Sequence, residues 1–210
     1  MKILNVKVED FTNYKKPSMF VGMGTCTFKC CKEAGISPEI CQNYILQYDS
    51  LELDPKTLVG YYMSNTITEA LVIGGLEPFD TFIDLLALVD EFRRQTYDDI
   101  VIYTGYYPYE ITTYLEYLTK YDNIIIKFGR FMPDCKKKKD KLLGVELASS
   151  NQYAVRLNKD VNDIIKALKD NDGYCPCMIK KNEDTKCCCS AFRKQTSGSC
   201  HCGIFNKDLN

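Results

Sequence analysis

The chain has 210 residues, with 27 Lys+Arg against 28 Asp+Glu, a single His and a formal net charge of -1. That length holds one ordinary domain, or one domain with a small appendage, and 45% hydrophobic residues exclude wholesale disorder. The balanced charge excludes a non-specific nucleic-acid binder, which carries a basic excess, and no segment approaches the roughly 20 apolar residues of a membrane span.

The N-terminal residues Met1 to Asp10 alternate apolar and polar and hold no apolar run of signal-peptide length. A cytoplasmic location, with neither nucleic acid nor membrane as partner, is therefore expected. Ser18–Met23 reads as a strand leading into the first cysteine group. Pro55 suits a first helical turn, and the helix covers Thr57 to Met63. Ala70–Ile73 is a short buried strand ending at Gly74-Gly75. Pro78 to Gln95 is the clearest helix, with Phe82, Leu85, Leu86, Val89 and Phe92 at three- and four-residue spacing. Ile100–Tyr103 is a strand, Tyr109–Lys120 a helix, Asn123–Phe128 a strand, and Val161–Leu168 a helix. This alternation predicts an α/β domain with a mostly parallel sheet. Lys136 to Lys139 is a charge run, read as a solvated loop. Lys169 to Gly173 is polar and ends in Gly, a helix stop and hinge that sets a boundary between domains 1–170 and 171–210. The tail beyond it has few large apolar side chains. A piece that small needs a metal or a cross-link to hold together.

The chain has 12 Cys: four from Cys26 to Cys41, seven from Cys175 to Cys202, and Cys135 alone. In a cytosolic setting structural disulfides are rare, so these clusters read as metal ligation or thiol redox chemistry. Cys26 and Cys30 form a Cys-x3-Cys pair just after a predicted strand, Cys31 follows at once, and Cys41 comes ten residues later. Three thiolates on one loop suit an iron–sulfur cluster. A zinc site drawn from the same four thiols remains open at this level, as does the choice between Cys30 and Cys31. In the tail, Cys175-Pro176-Cys177, Cys187-Cys188-Cys189 and Cys200-His201-Cys202 are three Cys-x-Cys units. In extended backbone such a unit points its two thiols to opposite sides, so that one ligates while its neighbour stays free. A small zinc- or cluster-binding knuckle with no redox pair is the alternative.

Cys26-x3-Cys30, Cys41-Gln42-Asn43, Gly74-Gly75-Leu76-Glu77-Pro78, Tyr103-Thr104-Gly105-Tyr106, Phe128-Gly129-Arg130-Phe131 and Ser149-Ser150-Asn151-Gln152 occur in that order. Over residues 17–157 this series resembles the radical S-adenosylmethionine (SAM) enzymes, specifically the activating enzyme of anaerobic ribonucleotide reductase. The resemblance implies a partial (β/α) barrel with a [4Fe-4S] cluster held by Cys26, Cys30 and Cys41. Its open iron would chelate SAM, and one electron would cleave SAM to a 5'-deoxyadenosyl radical. Gly74, Gly75 and Glu77 would contact the methionine amino group, with Ser150 and Asn151 near the cofactor. Two departures stand out: ten residues separate the second and third ligands, where two are usual, and Leu76 is inserted into Gly-Gly-Glu-Pro.

The tail, residues 171–210, resembles the catalytic chain of ferredoxin–thioredoxin reductase. By position, Cys175, Cys187, Cys189 and Cys200 would ligate a second [4Fe-4S] cluster. Cys177 and Cys202 would be the redox-active pair, Cys188 spare, and His201 a proton donor. The two resemblances together imply an iron–sulfur oxidoreductase. Its electrons would come from a ferredoxin or flavodoxin-type donor. Its protein substrate would be a thioredoxin-like disulfide or an anaerobic ribonucleotide reductase. A disulfide reductase whose first centre only relays electrons, or a non-catalytic zinc-binding interaction protein, is the alternative.

Overall fold

The computed structural model describes residues 1–41, 43–45, 50–159 and 161–208. Ten strands and six α-helices carry the fold among them. β1 (Lys2–Asp10) turns back along β2 (Ser18–Met23) as an antiparallel pair. The short α1 (Lys29–Glu33) and the two-residue β3 (Leu51–Glu52) follow. Then α2 (Pro55–Ser64), β4 (Ala70–Gly75), α3 (Phe82–Gln95), β5 (Asp99–Tyr103), α4 (Thr112–Leu118) and β6 (Ile124–Phe128) alternate. A small hairpin, β7 (Lys138–Lys139) and β8 (Glu146–Leu147), leads to β9 (Tyr153–Leu157) and α5 (Asn162–Asp170). The tail adds α6 (Ser190–Lys194) and β10 (Phe205–Asn206).

Eight strands form one sheet in the order β10-β9-β6-β5-β4-β2-β1-β3. The central β2, β4, β5 and β6 are parallel, and the flanking pairs are antiparallel. The parallel strands lie in chain order, and their helices pack on one face. Leu58, Leu85, Leu88, Phe92, Leu115 and Ile165 share a buried cluster with Leu71, Ile73, Ile100, Ile102, Ile124 and Ile126. The alternate residues Ala70, Val72, Val101 and Ile125 face the other side, under Tyr14, Leu142, Leu143 and Leu147. A strand buried on both faces reads as an unbroken apolar run, and that is why β4, β5 and β6 are legible in the sequence. The sheet is open at β3 and β10, and no closed barrel occurs among the described residues.

The helix starts follow ordinary capping chemistry. Asp54 accepts the Thr57 N–H ahead of Pro55, the arrangement expected of an N-cap followed by Pro at N1. The predicted helix from Pro78 begins as a 3₁₀ turn, Pro78–Thr81, before α3 proper. The predicted Tyr109–Lys120 helix is shorter, because a 3₁₀ turn over Pro108–Glu110 takes its first residues. The helix stop before Gly173 is real: α5 ends at Asp170, Gly173 takes φ +79, and its N–H bonds the Leu168 carbonyl at 2.9 Å. The lysine run is not all loop. Lys138 and Lys139 pair with Leu147 and Glu146 as β7, while staying exposed.

The tail joins the main sheet: Phe205 pairs with Leu157, and its buried ring meets Phe128 edge-on at 5.9 Å. Bridging pairs Tyr174–Lys186 and Ser199–Asn206 bring the tail's cysteine segments side by side. Among the described residues, no helix is long and apolar enough to cross a membrane.

Candidate iron–sulfur site

A cavity of about 440 Å³ opens at the carboxyl ends of β2, β4, β5 and β6, the edge where open α/β sheets bind ligands. Cys26, Cys30, Cys31, Cys41, Gly74, Gly75 and Glu77 all line it. The ten residues between Cys30 and Cys41 make a compact excursion. It runs through α1, turns at Gly35 with φ +67, and returns through a 3₁₀ turn at Pro38–Ile40 capped by Ser37. Cys41 closes that turn, its N–H bonding the Pro38 carbonyl at 3.0 Å. Asn43 then donates through Nδ2 to the Gly75 carbonyl at 2.5 Å, fastening the third cysteine segment to the glycine pair. Gln42 lies outside the described residues.

The glycines are needed as glycines. Gly75 has φ +87, and a Cβ there would meet Met23 N at 2.7 Å and Gly22 Cα at 2.8 Å. The inserted Leu76 is absorbed by continued pairing: its N–H bonds the Met23 carbonyl, and the Glu77 N–H bonds the Thr25 carbonyl. Glu77 is buried and accepts from Thr104 Oγ1 at 2.7 Å and from the Gly105 N–H at 2.9 Å. Burial outweighs those bonds and pushes its carboxyl up to about 7.

Several residues outside the sequence motifs also shape this site. Lys127 lies in the fully buried strand β6, lines the cavity, and donates to the Thr104 and Gly129 carbonyls at 3.2 Å each. Burial pulls its ammonium down to about 8. Its mark in the sequence is a lone charge inside the apolar run Ile124–Phe128. Asp80 accepts from Thr27 N–H, Thr27 Oγ1 and Tyr106 O–H, pinning the cysteine loop to the start of α3. Buried Arg130 pairs bidentately with Glu110 at 2.7 and 2.8 Å and also reaches Glu33. Lys29 reaches Glu110 at 3.1 Å. This ionic network clamps α1, and so Cys30, to the end of β6.

Ser150 and Asn151 do not line the cavity, whereas Ala148 and Gln152 on either side do. Ser150 is exposed. Asn151 donates to the Arg130 carbonyl at 2.8 Å, which places it behind the cavity wall.

The donor set fits an iron–sulfur cluster. No cysteine of the chain is in a disulfide, and several thiols face one cavity. Burial pushes the Cys30 thiol up to about 12, helped by the charge of Cys31, and burial raises Cys26 further still. Thiols this hard to ionise alone are stabilised as thiolates by a bound metal. A single tetrahedral ion, by contrast, needs thiols tightly converged at Zn–S distances of about 2.3 Å. Among the described residues, the first cysteine group holds no three ligand atoms within 4.8 Å of one another.

In the tail, the Sγ atoms of Cys175, Cys177 and Cys202 do lie within 4.8 Å of one another. Cys175 and Cys202 are 3.5 Å apart, and Cys200 and Cys202 are 3.9 Å apart. Cys187, Cys188 and Cys189 are buried in the core that also holds Cys175, Cys200 and Cys202, and Cys177 alone of the tail thiols is exposed. The structure therefore brings the predicted redox pair, Cys177 and Cys202, together with two of the predicted ligands, Cys175 and Cys200. The Cys202 thiol, and behind it the N–H groups of Phe205, Ile204 and Gly203, favour the Cys200 thiolate and hold it below the ordinary thiol range. His201 is exposed.

The chain matches the 4Fe-4S single cluster domain family over residues 19–155. No curated protein and no solved structure matches it. The matched span runs from β2 to β9 and contains the cysteines, glycines and Glu77 of the strand-end cavity, to which Leu4, Asn5, Thr12 and Asn13 add a wall from outside it. The chain thus belongs to the 4Fe-4S single cluster domain family, a radical-SAM-associated iron–sulfur family, and an iron–sulfur redox role follows.

Proposed function

We propose that the chain is an iron–sulfur redox enzyme with two centres. The first carries out radical-SAM-type reductive cleavage of SAM, and the second reduces a protein disulfide. The observation that carries the first half is the convergence of Cys26, Cys30, Cys41, Gly74, Gly75 and Glu77 on one cavity. A sheet wound one way, with its helices on a single face, fits a partial barrel of radical SAM type. When bound, a [4Fe-4S] cluster supplies single electrons and an open coordination position. Cys26, Cys30 and Cys41 would hold it. Around it, the Gly75 backbone allows close approach of a ligand. Glu77 places an acceptor for an ammonium group at the cavity wall, and Lys127 adds a cation to the same lining. The 3₁₀ return over Pro38–Ile40 supports this reading, because Cys41 just after it lines the same cavity.

For the tail, Cys175, Cys187, Cys189 and Cys200 would hold the second cluster, and exposed Cys177 would attack the disulfide, with Cys202 as its partner. Glycyl-radical activation of an anaerobic ribonucleotide reductase, and reduction of a thioredoxin-like protein, are the uses we assign to the two centres. The tight Cys175, Cys177, Cys202 group supports a second reading of the tail, a single tetrahedral zinc.

Metal analysis after anaerobic reconstitution separates the two. About eight irons per chain are expected, four for each cubane. About four irons with one zinc would establish the zinc reading instead. Incubation with SAM and dithionite is expected to release 5'-deoxyadenosine, and its absence would overturn the first half. Cys30→Ser is expected to lose the first cluster and Cys31→Ser to retain it. Cys177→Ser is expected to keep full iron while losing disulfide turnover.

A further inference from the structure

The lysine run finds its place in a second concavity. A groove of about 240 Å³ is lined by Lys138, Lys139, Lys141, Arg193, Lys194 and Lys207. The first three lie on and just after β7, Arg193 and Lys194 end α6, and Lys207 follows β10. The groove's one carboxylate, Asp140, is buried and accepts from the backbone N–H groups of Leu143 and Ala154. Glu146, across the β7–β8 hairpin from Lys139, pairs with Lys137 instead. None of the six cations makes an ion pair among the described residues. In a chain of net charge -1 this concentration is local.

Lys207 fixes one wall. Its Nζ donates to the Phe192, Arg193 and Gln195 carbonyls at 2.9, 3.1 and 3.0 Å. Those bonds use all three N–H groups of the ammonium, so Lys207 adds charge without a free donor. It also covers carbonyls at the end of α6, which by themselves would repel an anion. The backbone from which Arg193 and Lys194 project is thereby tied to the end of β10. Lys138, Lys139, Lys141 and Lys194 are exposed and keep their donors. The planar fork of Arg193 matches two oxygens of one phosphate, and Thr196 adds a neutral hydroxyl to the lining. Like charges gathered without counter-charge work against the folded state, and a multivalent anion in the groove relieves that repulsion.

We propose that this groove binds the polyphosphate chain of a small ligand, the chemistry shared by inorganic tripolyphosphate and a nucleoside triphosphate. Its volume falls below the roughly 300–1,000 Å³ of pockets that enclose a drug-sized molecule. The phosphates therefore enter, while a base and sugar stay outside. The one aromatic residue of the lining, Tyr153, is buried and offers no ring face for stacking. A nucleic acid is the weaker fit, because single strands are held on stacking aromatics along a basic track, and here the cations surround one small concavity. The site stands apart from the reading of either cysteine centre.

The test is titration calorimetry of the reconstituted full chain with tripolyphosphate, ATP, CTP and AMP, in buffer free of divalent cations. Tripolyphosphate, ATP and CTP are expected to bind one site with closely similar affinity, to compete with one another, and to weaken as NaCl rises. AMP is expected to bind far more weakly. The variant Lys141→Gln, Lys194→Gln, which removes one exposed cation from each wall, is expected to lose at least about tenfold in affinity, since each charge-assisted bond contributes about 1.5–3 kcal/mol. The control Lys56→Gln, Lys166→Gln makes the same change of net charge elsewhere and is expected to bind as the parent does. Arg193→Lys keeps the charge and loses the fork, and is expected to bind more weakly as well. Iron content and Tm without ligand are expected to match in all four chains. The proposal is overturned if tripolyphosphate fails to bind the parent, or if the groove variant and the control lose affinity equally. It is also overturned if ATP binds and tripolyphosphate does not displace it, or if single-stranded DNA loses affinity in the groove variant while tripolyphosphate does not. None of these outcomes depends on iron or disulfide chemistry, so each is separate from a failure of the redox reading.

Discussion

Gly75→Ala is the most demanding probe of the strand-end cavity. The residue has φ +87, and the added methyl would meet only backbone: Met23 N at 2.7 Å, Gly22 Cα at 2.8 Å and Gly22 C at 2.9 Å. Two costs add. A non-glycine residue held at positive φ costs roughly 1–3 kcal/mol, and forcing an atom into packed backbone costs about 1–3 kcal/mol more. The sum centres on about 3–4 kcal/mol, which for a chain of this size lowers Tm by roughly 6–16 °C. Gly35→Ala is the built-in control. It also sits at positive φ, +67, but a methyl there meets nothing within 4 Å. It therefore reports the conformational cost alone, about 1–3 kcal/mol. Because the Gly75 carbonyl accepts from Asn43, displacing it also moves the Cys41 segment, so Gly75→Ala is expected to reconstitute with less iron. Thermal unfolding and iron analysis of both variants give the answer. Equal losses of stability in the two, with full iron in Gly75→Ala, would refute the reasoning.

Two further outcomes follow from the buried charges. Glu77 titrates near 7 in the fold against an ordinary 4.5, so the native state holds its proton more tightly than the unfolded chain. Stability then falls as pH rises from about 4.5 to about 7, by roughly 3 kcal/mol in total, and Glu77→Gln is expected to flatten that window in denaturant titrations; an unchanged pH slope would contradict the assignment. Arg130→Ala leaves buried Glu110 with only Lys29 as cationic partner, and is expected to cost about 3 kcal/mol, toward the low end for a broken buried pair. Arg130→Lys is not expected to rescue it, because one ammonium cannot replace the bidentate fork; full stability in the Lys variant would show that the clamp is not geometric.

The cysteine loop shows how far local sequence reaches. Cys-x3-Cys, the glycine pair and Glu77 were all legible, because each depends on chemistry set by a few neighbouring residues. The same holds for β4, β5 and β6, whose double burial leaves unbroken apolar runs, and for α3, whose buried Leu85, Val89 and Phe92 keep helical spacing. Strands β9 and β10 were not legible. β10 is two residues long, and it is a strand only because Leu157 and Arg156 lie beside it.

What the tertiary structure decided is which distant groups meet. Asn43 on the Gly75 carbonyl, Asp80 on Thr27, Arg130 between Glu33 and Glu110, and Lys127 in the cavity wall each join segments far apart in the chain. No local pattern encodes such a pair, since either partner alone reads as an ordinary polar residue. The lysine run makes the same point. By itself it is a solvated stretch of like charge; beside Arg193, Lys194 and Lys207 it becomes one wall of a basic groove. Spacing along the chain determined the kinds of ligand this protein carries. Packing across the sheet determined which of them share a site, because only there are long-range charges and thiols brought within reach and out of water.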